Sequence, residues 1–524
     1  MNRDKHFCFS FKRALFVLTL SLFLLTDNIG YSQKAVVDKI IEIGTTDNQV
    51  MHYLDVLTNR FGGRLIGSDS YDNAADWVLY EFNKYGIKGR LEEAGELSVG
   101  FNRGPWFGRL IGGDRAMNLH FATPSYTSGT KGIQRGHVLI EPRNERELSR
   151  MKHCLKGAWV LVTGDNTGFP IGHSMKNDSL RKAYKAENAK IAKYNDSIMS
   201  VQGSGRGRTK EFKMMPGLYY DEMIEAGVLG FIQSAKLPIR ALYDRPMMNE
   251  IKPTFDELPE VCDIKLDEHQ YAEIYQMAKE RREFWLEFDI RNHFKLGPVK
   301  YSNVVGEIKG AKYPDEYVII SCHLDAYDVA TGGVDCGTGV GPMMEAARLL
   351  ALSGAKPKRT ILFVAFAGEE FGLLGAKAFA KRHEKELDKI SNLFNRDGGP
   401  TPPVGITVPK AMLKDFQEIC EPLNRINPEY KFTVREAQPR KQPTTMGGTD
   451  ASVFAVLGVP TLGFNTSDFK GYNFDYSEIW HTERDLYNKN IPEYQEYTAV
   501  VTAIVALGVA NLDHQLSREG MYIK

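Results

Sequence analysis

The chain of 524 residues has only six cysteines, no C-x-x-C pair and no apolar run of membrane-spanning length. Cys154, Cys262, Cys322, Cys336 and Cys420 follow Cys8, at spacings that suit no zinc finger. A disulfide framework is therefore not indicated, and these five read as small buried apolar residues. An excess of charge of one sign is missing too. Lys+Arg and Asp+Glu stand at 66 each, so nothing in the balance points to nucleic acid or to a basic partner. No internal repeat is visible. A hydrophobic share of 43% with 25% charged residues excludes a disordered tail, a collagen-like fibre and a multispan membrane protein. At about 150 residues per domain, two to four folded domains are expected.

What is there begins with a leader pattern. Arg3, Lys5, Lys12 and Arg13 precede the apolar stretch Ala14 to Leu25, and small residues Gly30 and Ser32 follow it. A membrane span needs about 20 apolar residues, whereas this length fits the core of a signal peptide. Residues 1–32 are expected to be removed near Ser32–Gln33, giving a periplasmic or extracellular protein with no stable membrane insertion. Cys8 precedes the apolar core, so no lipid-acceptor cysteine follows it.

Two helices are predicted between Asn48 and Gly86, separated by the turn residues Arg60-Phe-Gly-Gly-Arg64. From 118 to 292 the character changes to short strand-like runs around a charged helix at Ser179 to Asp196, which reads as an inserted domain. From Val299 onward, buried strands at Tyr317 to Ser321 and Thr360 to Ala367 alternate with helices. Continuous apolar strands with helices between them predict an α/β fold with a mostly parallel central sheet covered on both faces. Such sheets bind ligands beyond the carboxyl ends of their strands.

Chemistry-bearing residues fall at those ends. His323 and Asp325 follow the first buried strand; a carboxylate two residues from a histidine can orient a metal-bound ring. Asp335, in Gly332-Gly-Val-Asp-Cys-Gly-Thr-Gly339, opens a helix and is either an N-cap or a carboxylate bridging two cations. Glu369 and Glu370 leave the second buried strand side by side, a costly placement unless they meet cations or solvent. As chain neighbours they point different ways, so one can bind metal while the other acts as a base. Asp397 stands at another strand end, and His481 supplies a second imidazole. Each signal is weak alone. Together, two histidines, three carboxylates and one spare glutamate are the donor set of two zinc ions.

These segments, with TNRFGGRLIGS near the start and Met446-Gly-Gly-Thr-Asp450, resemble the co-catalytic zinc exopeptidases that include leucyl aminopeptidases, glutamate carboxypeptidase and carboxypeptidase Q. The likeness is greatest to the carboxypeptidase Q branch, and it covers essentially the whole mature chain. It implies a peptidase domain in two parts, 33–117 and 293–524, around a β-rich protease-associated domain at 118–292. It also implies two Zn2+ ions and a peptide substrate. His323 and Asp397 would hold one ion, Glu370 and His481 the other, and Asp335 would bridge them. Asp325 would orient His323, with Glu369 as general base.

The implied activity is removal of a terminal residue, as an aminopeptidase or dipeptidase. A carboxypeptidase, a one-zinc glutaminyl cyclase on the same fold and a non-catalytic binding protein are the alternatives. Three positions depart from the family pattern. Cys336 follows Asp335 where many relatives have a second aspartate, and Ala451 follows Asp450 where some have histidine. Trp480 precedes His481 where some carry an oxyanion-binding tyrosine, for which Tyr472 and Tyr476 are substitutes.

Overall fold

The structure is a computed structural model describing residues 33–523 except 113–115, 172–174, 201–207, 244–254 and 256–257. The segment read as a signal peptide, 1–32, lies outside the described residues. The chain opens with helices α1 (33–46), α2 (Val50–Asp55) and α3 (Asp69–Lys84). Helix α3 starts where Ser68 takes extended backbone and its Oγ accepts the Tyr71 N–H at 3.1 Å, satisfying a donor that the first turn leaves free. Its buried stripe of Ala74, Ala75, Val78 and Phe82 faces the core.

Strand β1 (Lys88–Ile111) then pairs antiparallel along nearly its whole length with β8 (Trp285–Ile308). Between these two strands the chain builds a second lobe from β2 (Met117–Asn118), β3 (Phe121–Ala122), β4 (Gln134–Ile140), α4 (Glu145–Met151), β5 (Ala158–Val162), α5 (Met175–Ser200), α6 (Tyr220–Glu225), β6 (Gly230–Ala235), β7 (Cys262–Asp267) and α7 (Glu268–Lys279). After β8 come β9 (Tyr313–His323), α8 (Gly337–Leu352), β10 (Arg359–Phe366), α9 (Leu374–Arg382) and β11 (Ile390–Asn395). The chain closes with β12 (Pro403–Pro409), α10 (Leu413–Cys420), β13 (Thr433–Ala437), α11 (Ala451–Val456), β14 (Phe464–Thr466) and α12 (Pro492–Asn511).

Strands β9, β10 and β11 are parallel, as the apolar runs predict, and every residue of β10 is buried. The sheet as a whole is mixed, which corrects the expectation of a mostly parallel one. The C-terminal part of β8 pairs antiparallel with β10 and its N-terminal part with β4, where a second parallel set, β4-β5-β6-β7, begins. The physical reason is the insertion: two strands that leave for a second lobe and return from it lie side by side and run in opposite directions. Nor is that lobe simply β-rich. Its parallel strands need crossovers; α4, α5 and α6 lie in sequence among them, and α7 follows the last. Position 292/293, read as a domain boundary, falls inside β8.

The main core joins α3, α8 and α12 to the β9–β11 sheet; smaller cores fill the second lobe around Trp159 and Phe231. No helix among the described residues is long and apolar enough to cross a membrane.

Candidate metal centre

Because β9, β10 and β11 are parallel, their carboxyl ends share one edge of the sheet. His323 ends β9, Glu369 and Glu370 follow β10, and Asp397 follows β11. The turn before α8 brings in Asp335, and the loop before α12 brings in His481.

The two oxygens of Asp335 divide between two histidines. Oδ1 lies 3.1 Å from His323 Nε2, and Oδ2 lies 3.5 Å from His481 Nε2. Asp397 Oδ1 stands 3.4 Å from His323 Nε2, and Glu370 Oε2 stands 3.1 Å from His481 Nε2. Two histidine–carboxylate pairs thus share one carboxylate. His323 Nε2 and Glu370 Oε1 are buried without a hydrogen-bond partner, although charged neighbours are close. Proximity without hydrogen-bond alignment is how ligand atoms converging on cations behave, and these N and O donors fit zinc. Three triplets have donor atoms within 4.8 Å of one another: Asp335 with Glu370 and His481, His323 with Glu369 and Glu370, and His323 with Cys336 and Asp397.

The protein's own charges oppose one another here. Burial pushes Glu369 up to about 10 and Glu370 up to about 7, although His323 and His481 respectively pull the other way. Asp335 is buried too, yet the His323 and His481 rings beside it hold its carboxyl well below the ordinary range. His481 rises to about 9 because Glu370 and Asp335 outweigh its burial. A cation among these carboxylates would favour their ionised forms.

Backbone contacts fix the set. Asp325 accepts the N–H groups of Glu369 at 3.1 Å and Glu370 at 3.2 Å, so it aligns both glutamates. Its carboxylate is 3.7 Å from His323 Nδ1, while its own carbonyl oxygen is 2.9 Å away. The closer partner of the ring is therefore the backbone of Asp325. Two supporting residues were not singled out in the sequence. Asp485 accepts the N–H groups of Val334 at 2.6 Å and Asp335 at 3.2 Å. Arg64, fully buried, donates to the carbonyls of Leu324 at 2.7 Å, Thr331 at 2.9 Å and Gly332 at 3.2 Å. Their only sequence signal is a charged residue inside the Arg60–Arg64 turn and inside the segment that carries His481. Asp450, also buried, has neither oxygen hydrogen-bonded, and burial pushes its carboxyl well up.

The centre opens into a cleft of about 1070 Å³, lined by Glu369, Asp397 and Trp480 together with Arg240 and Tyr243 of the second lobe. Tyr476 lines this cleft, whereas the Tyr472 hydroxyl donates to Glu493 at 2.6 Å.

Residues 303–505 match the profile of Peptidase family M28. Carboxypeptidase Q of Mus musculus is 22% identical over 502 residues, 93% of this chain and 90% of that protein. Carboxypeptidase Q of Rattus norvegicus is 30% identical over 236 residues, 43% of this chain; in that alignment the chain spans about half the relative, 46% of its length. A peptidase M28 precursor from Shewanella amazonensis superposes with a TM-score of 0.56 at 21% identity, covering 93% of this chain and 98% of that one. BSAP, a zinc aminopeptidase from Bacillus subtilis, gives a TM-score of 0.50 at 14% identity, covering 91% and 97%. These solved structures share the fold.

Proposed function

We propose, from the premise that residues 303–505 are a peptidase family M28 domain of the co-catalytic zinc exopeptidase group, that the protein is a zinc-dependent exopeptidase acting on short peptides. The reading rests on one observation: Asp335 offers its two oxygens to two separate histidine–carboxylate pairs, and Glu369 is left over beside them, lining a cleft. His323, Asp397 and Asp335 would hold one ion, and His481, Glu370 and Asp335 the other. Two zinc ions bound there would supply Lewis acidity to the scissile carbonyl and to the attacking water.

The remaining chemistry belongs to the chain. Glu369 removes the proton from water as it attacks, then delivers that proton to the leaving amine nitrogen. Asp325 keeps Glu369 aimed by holding its N–H. Tyr476, the tyrosine in the cleft, donates its O–H to the developing oxyanion. Residues 1–32 act as a cleaved export signal. The 118–292 insertion is a protease-associated domain set into the peptidase parts 33–117 and 293–524, and its Arg240 and Tyr243 complete the cleft.

Glu369→Gln tests the reading. The variant is expected to retain its zinc by elemental analysis yet lose about 10²–10⁴-fold in turnover of an alanyl-leucine dipeptide, the span for a removed general base. Normal turnover in this variant, or no zinc-dependent hydrolysis by the native chain, overturns it.

A further inference from the structure

Among the described residues, the carboxylates lining the cleft are Asp335, Glu369, Glu370 and Asp397, all already committed to the metal centre. None is left to greet a substrate's free amine. The remaining charges in the wall are cationic. Arg240 and Lys377 have no carboxylate within salt-bridge distance among the described residues. Lys377 is exposed and spends one donor on the Gly372 carbonyl at 2.9 Å.

Arg240 is held in place. Its backbone pairs antiparallel with Thr482, one residue past His481. On the neighbouring residue, Ile239 N–H donates to Glu483 Oε1 at 3.0 Å, and the Glu483 N–H returns to the Ile239 carbonyl at 3.0 Å. The guanidinium lies over the Trp480 indole, 4.4 Å from the ring centroid, and that indole packs on the His481 imidazole with centroids 4.3 Å apart. Among the described residues the one acceptor of its guanidinium is the Trp480 carbonyl, at a long 3.4 Å. A planar five-donor fork, fixed on an aromatic face and short of acceptors, matches a carboxylate.

We propose that Arg240 binds the α-carboxylate of the residue that follows the scissile bond, which makes short peptides with a free C-terminus, dipeptides above all, the substrate class. This rests on the exopeptidase reading above, in which His481 and Glu369 mark the reacting end of the same cleft. The second lobe then supplies a specificity residue, and the metal edge supplies the chemistry.

The test is calorimetric binding to zinc-loaded Glu369→Gln protein, which needs no turnover. Alanyl-leucine is compared with its C-terminal amide in the Arg240, Arg240→Met and Arg240→Lys backgrounds. Amidation is expected to weaken binding by about 10- to 100-fold with Arg240 present, the worth of a charge-assisted hydrogen-bond pair. It should change binding less than about twofold in Arg240→Met, with part of the preference regained in Arg240→Lys. In kinetics of the native chain the penalty for the amide should fall on KM while kcat holds. Equal binding of acid and amide, or equal weakening of both by Arg240→Met, overturns the proposal. Full recovery by alanyl-glutamate amide overturns the α-carboxylate assignment, because a side-chain acid would then be the group recognised. Absence of hydrolysis by the native chain counts against the exopeptidase reading alone, since the binding comparison still stands.

Discussion

Both lobes of this protein carry parallel strands with buried charge, and they treat that charge in opposite ways. In the second lobe, Lys265 on β7 is fully buried, yet its ammonium lies 2.9 Å from Asp263 and 2.8 Å from the Gln233 side-chain oxygen. Burial pulls that lysine down and Asp263 holds it up, so the charges close on themselves. At the edge formed by β9, β10 and β11, carboxylates outnumber histidines, and the buried nitrogen of His323 has no hydrogen-bond partner. A buried charge with its counterion is architecture; an uncompensated cluster is a request for a cation.

Breaking the closed pair should do the most damage to stability. Asp263→Asn leaves Lys265 buried without its counterion, and about 3–5 kcal/mol of unfolding free energy should be lost in chemical denaturation. Zinc content per folded chain should hold. A variant as stable as the parent would mean that Gln233 and solvent already carry the lysine.

Loosening the open cluster should cost less stability but show in the metal. In Asp485→Asn one amide N–H₂ must face either the Val334 or the Asp335 N–H, donor against donor. Zinc affinity, read by competition with a chromophoric chelator, should fall by about 10- to 100-fold, as when other outer-shell partners are removed. Unchanged affinity would show that Arg64 alone holds the Asp335 turn.

A third buried charge sits between these extremes and sharpens the contrast. Glu345 on α8 is fully buried, bonded to Arg348 at 2.9 Å, with its second oxygen unpartnered. Burial raises its carboxyl from an ordinary 4.5 to about 7, against the pull of Arg348. The folded chain therefore binds more protons than the unfolded one between those values, and stability declines as pH climbs through that window. Glu345→Gln should flatten this decline, with a change of at most a few kcal/mol in the unfolding free energy from urea titrations compared at pH 5 and 8. A slope unaltered by the substitution would assign the pH dependence elsewhere.

The contrast also marks what sequence could reveal. Strands β9 and β10 were legible because they are uninterrupted apolar runs, and the donor residues stood out by following them directly. Strand β1 was not. Its sequence, KGRLEEAGELSVGFNRGPWFGRLI, contains glycines, a proline and many polar residues, and only a long partner 200 residues away makes it a strand. Arg64 and Asp485 were opaque for the same reason, since each acts on backbone far along the chain. Arg240 had no local signal at all, because its meaning comes from Trp480 beneath it.

The ribbon of β1 and β8 passes from the sheet that bears His323 into the lobe that bears Arg240 without a break in β8. It therefore acts as a gauge block: a shared strand sets the separation between the His323 edge and the Arg240 wall of the cleft.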